Sequence, residues 1–398
     1  MPGSESAAHC AAARLFSLGF RPFFLLATGF AVLLSLLWYA AYVHAWQPAG
    51  TRYPPMSWHA HEMVFGYSVA VVSGFLLTAA HNWTRLPTLH GAPLAGLAAL
   101  WLAARLLPLS GDACPLWLLA AVDCGFGLWL CAALSVPICK ARQWRQMAVI
   151  SKLALLVASN LGFYIGLLGS DPEVARLAIL CGVYLLLSLI LMIGRRVIPG
   201  FIERGVQDPV RLRNSAAVDA VALVLFVAFA LVDLFADEAV WSAALAAALF
   251  AVHAWRLSGW HTRQLWNKSL LWVLYVAYAF ITAGFALKAV QPWYTYPASF
   301  AVHAFAYGGI GLMTAGMLSR VALGHTGRDL RSPPASLAMV YGILTIGALT
   351  RVVAPVIAPT MYVTWVAMAA LLWAGSFALL FYTLLPVLTG PRVSPPDA

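Results

Sequence analysis

The chain has 398 residues, of which 62% are hydrophobic and only 10% charged, with 24 lysines and arginines against 14 acids. A soluble domain is about 45–50% apolar and about 25% charged, so these values exclude one, and they exclude disordered, collagen-like and disulfide-scaffold chains as well. The net charge of +10 sits in the gaps between apolar runs. That placement suits topology signals rather than a polyanion site, and no nucleic-acid partner is expected.

A spanning helix needs roughly 20 apolar residues. On that measure about twelve candidates follow in chain order: 22–46, 58–80, 91–108, 114–138, 147–168, 174–194, 215–234, 238–257, 267–289, 297–319, 334–356 and 360–387. Punctuation by Pro54-Pro55, Pro108, Asp171-Pro172, Asp208-Pro209, Pro292, Pro333-Pro334 and Pro359 supports several boundaries. The runs are too long and continuous for a transmembrane barrel. The predicted fold is therefore an all-α polytopic membrane protein embedded in a lipid bilayer, a single transmembrane domain over 1–398. The first run has no small-residue cleavage site and reads as a retained helix.

Lysine and arginine placement sets the orientation. With both termini in the cytoplasm, nineteen of the 24 fall on the inside. Arg52, Arg105, Arg176, Lys288 and Arg351 fall outside. The expectation is N-in, C-in. The six cysteines are scattered without a CxxC pair, which argues against a disulfide framework or thiolate cluster.

Under this topology His44, His59, His61 and His303 fall near the outer face. His81, His253, His261 and His325 lie toward the inner face, with His90 in an inner loop and His9 in the tail. Polar residues inside a membrane are costly and mark functional sites. In Trp58-His59-Ala60-His61-Glu62 the two histidines stand about 200° apart on a regular helix, so they serve different flanks. Glu62 is the acid beside them and the first candidate for orienting a ring or carrying a proton.

Helices two and ten share a pattern. His61 is followed by Gly66 (+5) and Gly74 (+13), and His303 by Gly308 (+5) and Gly316 (+13). Each leads into a return helix bearing an arginine near its end, Arg105 in one case and Arg351 in the other. This reads as a degenerate internal repeat of helices 2-3 and 10-11, with chance matching of glycines as the alternative. Repeats of this kind place ligands at their interface. Two matched histidines, His61 and His303, could be axial ligands of a haem. Arg105 and Arg351 would then pair with its propionates, or else snorkel to the interface. Gly66 and Gly308 would leave room for the macrocycle edge, and Tyr307 lies on the His303 face. If only one of the two histidines binds, the haem is five-coordinate and open to a diatomic. No Walker loop, Rossmann turn, HExxH or Ser-His-Asp arrangement competes.

Several motifs resemble the NnrS family: Leu18-Gly19-Phe20-Arg21-Pro22-Phe23-Phe24-Leu25, Trp58-His59-Ala60-His61-Glu62-Met63, Gly74-Phe75-Leu76-Leu77-Thr78-Ala79 with Asn82-Trp83-Thr84, Arg196-Val197-Ile198-Pro199, and Gly324-His325-Thr326-Gly327-Arg328. The resemblance extends over nearly the whole chain. It implies a twelve-helix bacterial inner-membrane protein containing haem b and copper. It also implies a link to denitrification and nitrosative stress, with nitric oxide bound and removed. The family's histidines map to His59, His61, His303 and His325. His81 departs from the pattern, which has a proline there. Copper is expected on His44 and His59, with Met56 and Met63 as soft donors. A rival copper location is the set His81, His261 and His325. A nitric oxide-consuming oxidoreductase would draw on an electron donor that the sequence does not identify. Two other classes stay open: a transporter or exporter of a small ligand or metal-nitrosyl species, and a nitric oxide sensor without turnover.

Overall fold

The computed structural model describes residues 13–46, 53–236, 238–294 and 297–393. His9, Cys10 and Arg52 lie outside them. Every extended regular element among the described residues is helical. Twelve helices are long and apolar enough to cross a membrane: α1 Phe20–His44, α2 Pro55–Thr84, α3 Gly91–Gly111, α4 Leu116–Lys140, α5 Trp144–Leu168, α6 Pro172–Gly205, α7 Ala216–Phe235, α8 Ala239–Trp260, α9 Ser269–Trp293, α10 Ser299–His325, α11 Ser336–Ile357 and α12 Pro359–Thr389. The chain is a multi-pass membrane protein. All twelve expected spans are present, because a run of about 20 apolar residues in lipid can satisfy its own backbone only as a helix. The largest departure is α6, which outruns its apolar window at residue 194 by eleven residues. Arg195 and Arg196 end the apolar stretch but not the helix: Arg195 donates to Asp219 Oδ2 at 2.6 Å, so its charge is held by α7 instead of breaking the α-helix.

The chain divides into two compact units. The first lies within Met1–Leu185, Leu318–Asp329 and Phe377–Ala398, and the second within Leu186–Met317 and Leu330–Ser376. In the first unit Arg21, in the opening turn of α1, donates through Nη1 to the carbonyls of Leu388 and Gly390 at 2.7 and 2.8 Å. These are carbonyls left over where α12 ends. Around the start of α2 the core of this unit is aromatic, with Tyr53, Trp58, Phe163 and Tyr164 all buried. In the second unit Phe229, Phe285 and Phe305 are fully buried around His253, whose ring stacks on Phe285 at 5.4 Å and 13°.

Two helices change pitch. The opening turns of α2, Pro55–His61, are α-helical, with Pro55 at a position whose missing N–H costs nothing. From Glu62 to Ser68 the helix is π. In α10 the α-helical turn Ser299–His303 gives way to a π segment from Ala304 to Gly311. Each π segment begins at the residue after the matched histidine, so the two helices also agree in local geometry.

Candidate functional site

In the first unit, four helices meet at His61. The ring is fully buried and stacks on Phe163 of α5 at 4.4 Å and 27°. Nδ1 lies 3.1 Å from Glu62 Oε1. Nε2 lies 2.9 Å from Asn160 Oδ1 and 3.3 Å from Asp123 Oδ2. Arg105, from the end of α3, bridges the two acids: Nη1 donates to Glu62 Oε2 at 2.5 Å, and Nη2 donates to Asp123 Oδ1. Asp123, in mid-α4, also accepts Asn160 Nδ2 at 2.9 Å and Tyr164 Oη at 3.1 Å. Glu62, Asp123 and Arg105 are no more than 5% exposed.

The π segment makes room for this cluster. A π turn bonds i to i+5, and Ser68 Oγ donates to the Met63 carbonyl, five residues back, at 2.7 Å. Trp101 Nε1 donates to the Gly66 carbonyl at 3.1 Å. A Cβ on Gly66 would lie 2.6 Å from Glu62 Oε2 and 2.8 Å from Arg105 Nη1, so glycine at 66 admits the ion pair. Two carboxylates face one guanidinium, and both ring nitrogens of His61 face oxygen acceptors. That arrangement suits a doubly protonated ring, and an imidazolium brings the formal charge of the cluster to zero. A buried ion cluster of this kind persists only when every member is paired.

Three of the expected site residues, His61, Glu62 and Arg105, thus come together, with Gly66 beside them. Asp123, Asn160 and Tyr164 join them and were missed by the sequence reading. The available signals were a lone aspartate inside the apolar run 114–138 and two polar residues at i and i+4 on the next helix.

His59 faces the other flank, as the 200° separation requires. Its ring stacks on Trp38 of α1 at 4.2 Å and 17°. His44, exposed at the end of α1, meets the edge of Tyr39 at 5.4 Å. His81 donates from Nδ1 to the Leu86 carbonyl at 2.8 Å, and His325 lies against Phe20 at 5.8 Å. His261, in the second unit, accepts from Trp266 Nε1 at 3.2 Å. Among the described residues, no three His, Cys, Asp or Glu side chains are grouped to hold a metal ion.

In the second unit, His303 is half-buried. Its Nδ1 lies 2.6 Å from the Ser299 carbonyl. A carbonyl only accepts, so Nδ1 carries the proton and the lone pair of the neutral ring is on Nε2. Tyr307 Oη donates to the Ala369 carbonyl at 2.9 Å, and its ring meets Trp373 at 4.8 Å. The space beside Gly308 is taken by the Phe280 ring. Arg351 donates to Tyr362 Oη at 3.3 Å and lies 5.6 Å from that ring's centroid.

The second unit also holds a polar cluster that the sequence reading did not single out. Asp219 takes Arg256 Nη2 at 2.7 Å and Arg195 Nη1 at 2.6 Å. Arg256 Nη1 donates to Tyr278 Oη at 2.8 Å, and that hydroxyl lies 2.7 Å from His253 Nδ1.

The family model for the NnrS protein matches residues 14–392. No curated protein matches the chain. With the match running through all twelve helices and both histidine-headed π segments, the chain belongs to the NnrS family, multi-pass membrane proteins linked to the response to nitric oxide.

Proposed function

We propose that this chain binds and removes nitric oxide as a haem- and copper-containing protein of the bacterial inner membrane, with both termini in the cytoplasm. The orientation rests on the nineteen-to-five division of lysine and arginine. The observation that carries the haem reading is His303. Its Nδ1–H is fixed on a backbone carbonyl, which presents Nε2 as the lone-pair nitrogen, and metal-bound histidines are commonly oriented in this way.

The donor sets differ in how well they suit these groups. With its proton fixed on Nδ1, His303 is in the tautomer that a haem-holding histidine needs, whereas His61 sits between Glu62, Asn160 and Asp123. The reading is therefore that His303 would hold the haem. When bound, haem iron supplies the centre at which nitric oxide binds and changes oxidation state. Ser299 orients the His303 ring, and Arg351 supplies a fixed positive charge in the same unit that would pair with a propionate. Glu62, an acid of the first unit's cluster, is hydrogen-bonded to Arg105. For copper, His44 and His59 offer two imidazoles, and no third His, Cys, Asp or Glu joins them among the described residues.

Purified protein should show a Soret band with stoichiometric iron and should consume nitric oxide from an electrode cell, both lost in His303→Ala. A preparation with neither band nor iron overturns the reading. The matched His, π-segment and Arg pattern also favours a second reading, transport of a small ligand. Movement of substrate into sealed proteoliposomes without haem would select it.

A further inference from the structure

A cavity of about 20 Å³ lies in the first unit against the polar cluster. Phe65, Phe126, Leu153 and Leu156 form apolar walls, and Asp123 and Asn160 form one edge. We propose that this cavity is a dry pocket for a neutral diatomic gas. Naming that gas as nitric oxide rests on the function proposed above; the pocket itself does not.

Size does not decide between water and gas, since about 10–15 Å³ already admits a water. Hydrogen bonding does. A buried water makes about three hydrogen bonds, so the question is what the polar edge still offers. Asp123 has about four acceptor sites. Oδ1 accepts Arg105, and Oδ2 accepts Asn160 Nδ2 and Tyr164 Oη while facing His61 Nε2. Asn160 Oδ1 faces His61, and one Nδ2 hydrogen is spent on Asp123. One amide hydrogen is left. Apart from the Cys124 thiol, a weak hydrogen-bonding group, the other walls are hydrocarbon, on helix interiors whose backbone groups bond along the helix. A water entering would lose most of its bonds. A weakly polar diatomic needs none and can accept the single N–H. Wholly apolar cavities stay dry and take xenon, and this smaller one is apolar everywhere but at Asp123, Asn160 and Cys124.

The test is xenon-pressurised crystals of the full chain. Wild type should show an anomalous peak between Leu153, Leu156, Phe126 and Asn160. Leu156→Phe should remove it, and Leu153→Ala should raise its occupancy, so the two variants move in opposite directions even if one packs poorly. An ordered water in the cavity with no xenon overturns the pocket, whatever the protein does with nitric oxide. For the gas itself, haem-loaded Leu156→Phe with an unaltered Soret band should consume nitric oxide severalfold more slowly than wild type. An unchanged rate overturns nitric oxide as the occupant. A haem-loaded wild type that consumes none, yet binds xenon, overturns the proposed function and supports the pocket.

Discussion

The helix pairs α2–α3 and α10–α11 share one plan and diverge in charge. In each, a histidine immediately precedes a π segment, glycines follow at +5 and +13, and the return helix carries an arginine near its end. The residue after the histidine is Glu62 in the first pair and Ala304 in the second. Eighteen residues after the arginine stands Asp123 in the first case and Ala369 in the second. Both carboxylates that close the first site are thus alanines in the second. His61 is held by charged neighbours and an amide, whereas His303 and Arg351 bond to the Ser299 carbonyl and the Tyr362 hydroxyl. One pattern of histidine, glycines and arginine thus accompanies an ion cluster at His61 and a backbone-held ring at His303.

The largest effect that sharpens this contrast is on haem. His303→Ala is expected to abolish the Soret band, while His61→Asn leaves it in whatever protein remains folded; the reverse result in absorbance per protein breaks the comparison. Next is stability. Asp123→Ala leaves Arg105 buried with only one of its acids, a change that costs about 3–5 kcal/mol in other proteins, read as a loss of thermal stability in detergent. Glu62→Ala/Asp123→Ala/Arg105→Met removes both acids and the guanidinium, leaving His61 as a neutral ring, and should recover most of that loss, because buried ion networks replaced by apolar groups are often neutral. Gly66→Ala should cost about 1–3 kcal/mol, since its Cβ would press on Glu62 and Arg105. Gly342→Ala in α11, where a Cβ meets nothing within 4 Å, should be neutral or raise stability by about 0.5–1 kcal/mol.

Hydropathy made the twelve spans legible, because the bilayer imposes one length and one pattern. The end of α6 was not legible, since Arg195 and Arg196 stop the apolar run while Asp219, a residue of the next helix, takes Arg195's charge. Glu62 and Arg105 could be singled out from sequence, one by adjacency to histidine and the other by the repeat. Their mutual contact could not, nor could the role of Asp123. Which helices lie side by side is decided by packing between them, and periodicity within a run carries no record of it. The π segments were equally hidden, because seven or eight residues of apolar sequence pair i to i+4 or i to i+5 with no compositional mark.

Those wider turns make side-chain direction depend on residue number. Each residue of an α-helix advances by 100°. Removing one residue from Glu62–Ser68 could restore α-helical pairing, but it would swing the chain above it by about that angle relative to the rest of α2. His61 would turn away from Asn160 and Asp123, and His59 would leave Trp38. The same deletion between Ala304 and Gly311 would turn His303 relative to the lower part of α10. The extra residue in each π segment thus sets the azimuth of a histidine, and a single-codon deletion would re-aim it while leaving the hydrophobic length of the span almost unchanged.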